Sequence, residues 1–364
     1  MLGPRFRGDD MSKGIPGMNK RWQQRPPGSN WGEFGPDDQR GRMNYVTREK
    51  VLQGVAEVKE GITFVLSLPL DYPGGNVLNA RRHPPRIAAT HRNGRQNFAY
   101  EVRQDNPMQT DVVCDDLVLL TLQYSTQWDS FAHVGSLFDA DGDGKAEAVF
   151  YNGYRAGVDV IPAKENAGAE AWAKFEGSRA EALGIQNLAE HGAQGRGVMI
   201  DLHAHYGRKR EAVGYDALRK ILDQDKVEIE RGDIVCLHTG FAEMVMEFKK
   251  NPTPEALHHS CTGLDGRDDR LLQWISDSGL SVLAADNYAV ELFSTKPWKD
   301  SSHAMLPLHQ HCLFKNGIHL GELWYFTPLA NWLRAHKRNR FLLTAPPLRL
   351  PGAVGSPATP VATV

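Results

Sequence analysis

A chain of 364 residues, 41% hydrophobic and 24% charged, is long enough for a large core and sits near the globular norm, which argues against extensive disorder. Its 42 basic and 44 acidic residues leave a formal net charge of −2, so no basic field is available to hold nucleic acid or an anionic membrane. Apolar runs such as Leu117–Leu120 and Val282–Ala285 fall far short of the roughly 20 residues that span a bilayer.

Residues 1–28 are rich in Gly, Pro, Arg and Gln, lack an apolar period, and are expected to form a flexible arm in which Met11 and Met18 are alternative starts. Arg5, Arg7, Asp9 and Asp10 stand where a secretory signal would carry its apolar stretch, so a cytoplasmic protein is expected. A single catalytic domain then covers 29–364, opening at Asn30-Trp31-Gly32 and the turn Gly35-Pro36-Asp37-Asp38. Strands are predicted at Thr63–Pro69, Asp116–Tyr124, Gly197–Leu202, Asp233–Leu237, Leu280–Ala285 and Phe341–Leu343, from their length and branched apolar content. Helical spacing marks Tyr215–Leu222 and Phe241–Phe248, and Leu271, Leu272 and Ile275 form an apolar stripe behind an acidic Asp268-Asp269 start. Cys114, Cys236, Cys261 and Cys312 are scattered, which suits reduced thiols better than disulfides or a zinc knot. From Pro351 the chain reads as a Pro/Gly tail, with Val354 and Val361 available to pack on the body. The fold class that follows is α+β, or mixed α/β.

The most informative stretch runs from Leu122 to His133. It follows an apolar strand, where a rigid element gives way to a loop and polar groups are well placed for a site. Alternation along a strand would put Gln123, Ser125, Gln127 and Asp129 on one surface. Asp129 suits a hard-metal ligand and His133 a proton shuttle, although the same pair also reads as a loop hydrogen bond. A second cluster is Pro307-Leu308-His309-Gln310-His311 with Gly317-Ile318-His319-Leu320-Gly321-Glu322. Glu322, set among Leu320, Leu323, Trp324 and Tyr325, needs a metal, a cation or a proton if buried. His203 and His205 alternate at a strand end and are expected to face the same cavity. Trp128, Phe131 and Trp31 suit either an apolar wall for a substrate or plain core. Asp139-Ala140-Asp141-Gly142-Asp143-Gly144 copies half of a calcium loop, but its twelfth position is Phe150, so an acidic surface turn is expected.

Read against the pattern His-x-Gly-Thr-His-x-Asp-x-Pro-x-His, the run Gln123 to His133 matches at Thr126, Asp129 and His133. The chain thereby resembles the cyclase family, whose members include kynurenine formamidase and isatin hydrolase. It is most similar to a larger-bodied branch with Ser-Thr-Gln-Trp-Asp at that place, and the likeness extends from about residue 29 through Asp286-Asn287 to Glu322. The resemblance implies a cyclase-like swivelling β/β/α fold, with mixed sheets around a barrel-like centre and helices outside, assembled as a homodimer or higher. It also implies a small-molecule substrate and a divalent metal, Mn or Zn, that activates water. On this reading Asp129, His309 and Glu322 hold the metal together with Gln123 and Gln127, which replace the two ligand histidines. His133 takes the catalytic acid/base place, Trp128, Phe131, His203 and His205 face the substrate, and His311 is the alternative to His309. An amide oxygen is a harder, weaker donor than imidazole, so the replacements shift preference from zinc toward manganese or magnesium, or remove the metal. The expected activity is hydrolysis of an amide or lactone in a small cyclic or aromatic-derived metabolite. Cyclisation or dehydration of a similar carbonyl compound is the alternative within catalysis, and a non-catalytic binding protein is the alternative outside it.

Overall fold

The computed structural model describes residues 21–163, 177–293, 297–298 and 302–364. Met11 and Met18 lie outside them. The described part of the expected arm lies against the body: Trp22 is buried, and the amides of Gln23 and Gln24 donate to Ala140 O.

The frame is one mixed sheet of nine strands curled into a half-barrel. In chain order the strands are β1 (Thr63–Val65), β2 (Gln127–Asp129), β3 (Gln194–Asp201), β4 (Ile234–His238), β5 (Val282–Ala285), β6 (His319–Glu322), β7 (Arg340–Thr344), β8 (Gly355–Pro357) and β9 (Val361–Thr363). Across the sheet they run β1-β9-β7-β3-β4-β5-β6-β2-β8. The four central strands β3 to β6 are parallel, and the flanking pairs are antiparallel. Continuous apolar content explains the centre: β4 and β5 are buried at every residue, as strands covered on both faces must be. Leu283, Leu320 and Phe131 pack on one side of the sheet, and Ala284, Cys236 and Trp128 on the other.

Helices α1 (Arg48–Val55), α2 (Tyr215–Gln224), α3 (Phe241–Glu247), α4 (Asp269–Asp277) and α5 (Thr327–Ala335) surround the sheet. Asp268 starts two of them: its Oδ1 accepts from Arg270 N and Leu271 N of α4, and its Oδ2 from Tyr215 N of α2 at 2.7 Å. Leu218, Ile221 and Leu222 of α2 then face Leu271 and Ile275 of α4 in one core. None of the described helices is long and apolar enough to cross a membrane.

Two expectations need correction. The strand predicted at Asp116–Tyr124 is confined to Asp116–Leu119, pairs only with Arg86–Ala89, and leaves Leu117 and Val118 half-exposed. The element that carries Asp129 is therefore the separate, buried β2. The Pro/Gly tail is also a structural part: β8 and β9 both join the main sheet, and Val364 is fully buried. Pro357 is tolerated because β8 is the edge strand, where a missing N–H costs no ladder bond. All four cysteines are free.

Candidate functional site

Gln127 and Asp129 are two residues apart on β2 and share a face, opposite Trp128. Antiparallel pairing sets Gln127 beside Glu322 and Asp129 beside Leu320 of β6. His309 is delivered by a helical turn that begins at Pro307 and continues as a π-helix over Gln310–Lys315. One donor atom each from Asp129, His309 and Glu322 lies within 4.8 Å of the others. All three residues are buried, at 0%, 2% and 2% exposure.

His309 lies between two carboxylates, with Nε2 3.0 Å from Glu322 Oε1 and Nδ1 2.9 Å from Glu291 Oε1. Glu291 also accepts from the backbone amides of Leu308 and His309, each at 3.0 Å, which fixes the turn that presents the imidazole. Gln127 Nε2 spans the other two groups, 3.2 Å from Glu322 Oε2 and 3.4 Å from Asp129 Oδ1. His319 Nδ1 binds the Asp129 carbonyl at 3.0 Å, and its ring stacks on Phe131. His133 Nε2 is 3.8 Å from Asp129 Oδ1, with a side chain 22% exposed, so it stands where the cluster meets solvent.

The charges of this cluster do not balance. Asp129, Glu322 and Glu291 face one imidazolium, in a place where desolvated net charge is expensive. Burial lifts Asp129 above the usual carboxylate range, and the Glu322 charge adds to the rise. Burial acts on Glu322 in the same sense, but the His309 hydrogen bond outweighs it and holds Glu322 low. Burial lowers His309 too, yet its bonds to Glu291 and Glu322 prevail and push it up to about 10. Asp129 Oδ2 and Gln127 Oε1 are buried with no hydrogen-bond partner among the described residues. Carboxylate, imidazole and amide donors, an excess of negative charge and two unpartnered oxygens together fit a divalent cation.

The remaining candidates fall elsewhere. Gln123 lies in a turn off β2, its amide against Gly355, the residue paired with Asp129; it makes no hydrogen bond to the three donors. His311 points away, to Ser276 and Asn316, and burial depresses it to about 4. Trp128 is fully buried on the reverse face, bonded to Ala345 O and edge-on to Trp324, so it is core and not a substrate wall. Phe131 is likewise fully enclosed, and Trp31 donates from within the core to Phe314 O. The expectation for His203 and His205 is corrected: they lie on a helical turn, Leu202–Tyr206, capped by Asp201. His205 pairs with Asp225, and His203 binds the Thr239 carbonyl beside His238, with no bond to the Asp129 cluster. In the acidic turn, Asp139, Asp141 and Glu147 do converge, but Arg155 pairs with two of them.

Glu291 went unread in the sequence, although its setting (Ala289-Val290-Glu291-Leu292-Phe293) carries the same signal as Glu322, a carboxylate among apolar residues. As the group that orients the imidazole, it gives a prediction. Glu291→Gln is expected to weaken any divalent-cation binding at His309 about 10- to 100-fold, measured by calorimetric titration, while the protein stays folded.

A family described as putative cyclase has a model that matches residues 66–292. A crystal structure described as a novel cyclase is 28% identical, covers 94% of this chain and 100% of its own, and superposes with a TM-score of 0.70. Isatin hydrolase A from Ralstonia solanacearum is 14% identical, over 87% of this chain and 97% of its own, with a TM-score of 0.52. The corresponding enzyme from Labrenzia aggregata is 12% identical, over 86% and 97%, at 0.50. At those identities the two isatin hydrolases share the fold. No curated protein matches the chain.

Proposed function

Since the chain belongs to the cyclase family, we propose that it is a hydrolase that opens an acyl bond, amide or lactone, in a small cyclic or aromatic-derived metabolite with the help of a divalent cation. The observation that carries this reading is the buried Asp129–His309–Glu322 cluster, short of positive charge and edged by a partly open histidine. The cation would be held by these three residues, with Gln127 Oε1 as the fourth donor. When bound, it supplies a Lewis acid for the acyl oxygen and brings the pKa of water toward neutrality. Three oxygen donors to one nitrogen favour manganese or magnesium over zinc.

The chain's own groups handle position and protons. Glu291 fixes the His309 ring through Nδ1, leaving Nε2 toward Glu322 as the ligand nitrogen, and Gln127 ties the two ligand carboxylates together. His133 is the one ionisable group of the cluster with solvent access. It takes a proton from water as the oxygen adds to the acyl carbon, and returns it to the departing nitrogen or oxygen as that bond breaks. Asp129 steadies the imidazolium between the two steps.

The test is a panel of aryl amides and lactones offered to manganese-loaded protein, with and without a chelator. Hydrolysis of at least one compound, abolished by chelation and restored by manganese, is expected. Turnover indifferent to the chelator would overturn the metal-assisted reading.

A further inference from the structure

Both carboxylates that bracket His309 adjoin backbone held in the left-handed region. Glu322 is followed by Leu323 at φ 55°, and Glu291 is preceded by Ala289 at φ 78° and Val290 at φ 58°. None of the three is glycine, and for a buried, β-branched valine this conformation is a genuine outlier. Glu291 N donates to Ala289 O, which closes a three-residue turn around Val290 with positive φ, the strained variety. Such strain persists only where the surroundings over-determine it, and it gathers at functional sites.

The residue that joins the two strained turns is Asn287, just beyond the end of β5 and buried. Its main-chain oxygen accepts from Leu323 N at 3.0 Å, on the Glu322 side. Its Nδ2 donates to Val290 O at 3.3 Å, on the Glu291 side, and to Thr262 O at 3.1 Å. Leu264 completes the hold: its amide donates to Val290 O at 3.1 Å, and its carbonyl accepts from Leu292 N at 3.0 Å. The segment that carries Leu264 leaves room for both side chains. A methyl on Gly263 would stand 2.8 Å from Asn287 Nδ2, and one on Gly266 would stand 2.0 Å from Glu291 Oε2. Neither glycine has a left-handed φ, so space and not conformation requires them. Resting on the metal-assisted reading above, we propose that Asn287 is a positioning residue of the cation site: it clamps the turns that carry Glu291 and Glu322, and so aims His309 Nε2 at the cation from behind.

Asn287→Ala is tested with two readouts. One is manganese affinity by calorimetry. The other is the magnetic resonance signal of the His309 Nδ1–H in metal-free, isotope-labelled protein, assigned by its loss in Glu291→Ala. Manganese binding should weaken roughly 10-fold, the low end for an outer partner of a ligand, and the Nδ1 proton should exchange with water faster. Gly263→Ala crowds Asn287 without deleting its amide and should reproduce both changes, so the test survives if Asn287→Ala fails to fold. On a Glu291→Ala background, adding Asn287→Ala should cost less than about 2-fold in affinity, because the side chain it steadies is gone. Wild-type affinity and exchange in Asn287→Ala and Gly263→Ala would overturn the assignment. The full loss recurring on the Glu291→Ala background would also overturn it, since that marks a general loosening of the fold. Faster exchange of the His309 proton in a protein that binds no manganese would leave the positioning role standing and count against the metal-assisted reading alone.

Discussion

Asp129→Ala is expected to lose stoichiometric manganese and to lose turnover by at least about 100-fold, yet to fold at least as stably as the metal-free wild type. The first half follows from removing a carboxylate from a three-residue donor set, a larger change than the loss of an outer partner that already costs 10- to 100-fold. The second half follows from burial. Asp129 is fully enclosed, one of its oxygens has no partner among the described residues, and it repels Glu322, so in the metal-free protein its carboxylate is a liability. Adding manganese separates the two proteins. At a free concentration 100 times Kd, the cation should stabilise wild type by about 2.7 kcal/mol and the variant not at all. Thermal melts with and without manganese read both arms. A metal-free variant far less stable than wild type would make Asp129 a structural residue.

His133→Ala is the complementary case. Its imidazole touches solvent and stands 3.8 Å from Asp129, outside the set of converging donors. The cation should therefore remain bound, while loss of the proton carrier lowers kcat by roughly 100- to 10,000-fold. A partly exposed side chain with no hydrogen bond closer than that contact should leave the melting temperature nearly unchanged. Single-turnover hydrolysis with metal analysis of the same sample is the measurement. Loss of manganese together with activity would make His133 a ligand, and an unchanged rate would leave the reaction without its proton carrier.

The central strands were legible because burial on both faces demands continuous apolar runs, and Val282–Ala285 or Ile234–Leu237 show them. Short strands were not. Gln127–Asp129 is three residues of mixed polarity, made into a strand by its neighbours β6 and β8 rather than by any propensity of its own. Gly355–Pro357 reads as a tail for the same reason. His203 and His205 alternate as a strand would, but Asp201 accepts from Ala204 N, and this cap starts a helical turn in place of the strand end. In the site, Asp129 and Glu322 were each visible as carboxylates in unusual settings. Their meeting across 193 residues comes from sheet topology, which no local pattern carries. His309 and His311 were inseparable by sequence alone, and the π-helical turn sends one to the carboxylates and the other to Ser276.

Elemental analysis of the purified wild-type protein by mass spectrometry, after incubation with manganese and removal of free ions, tests the central claim most directly. About one manganese per chain is the predicted result, since Asp129, His309 and Glu322 provide one set of donors. A protein that stays metal-free after that treatment would contradict the account, and would leave the buried carboxylates to be explained by protonation.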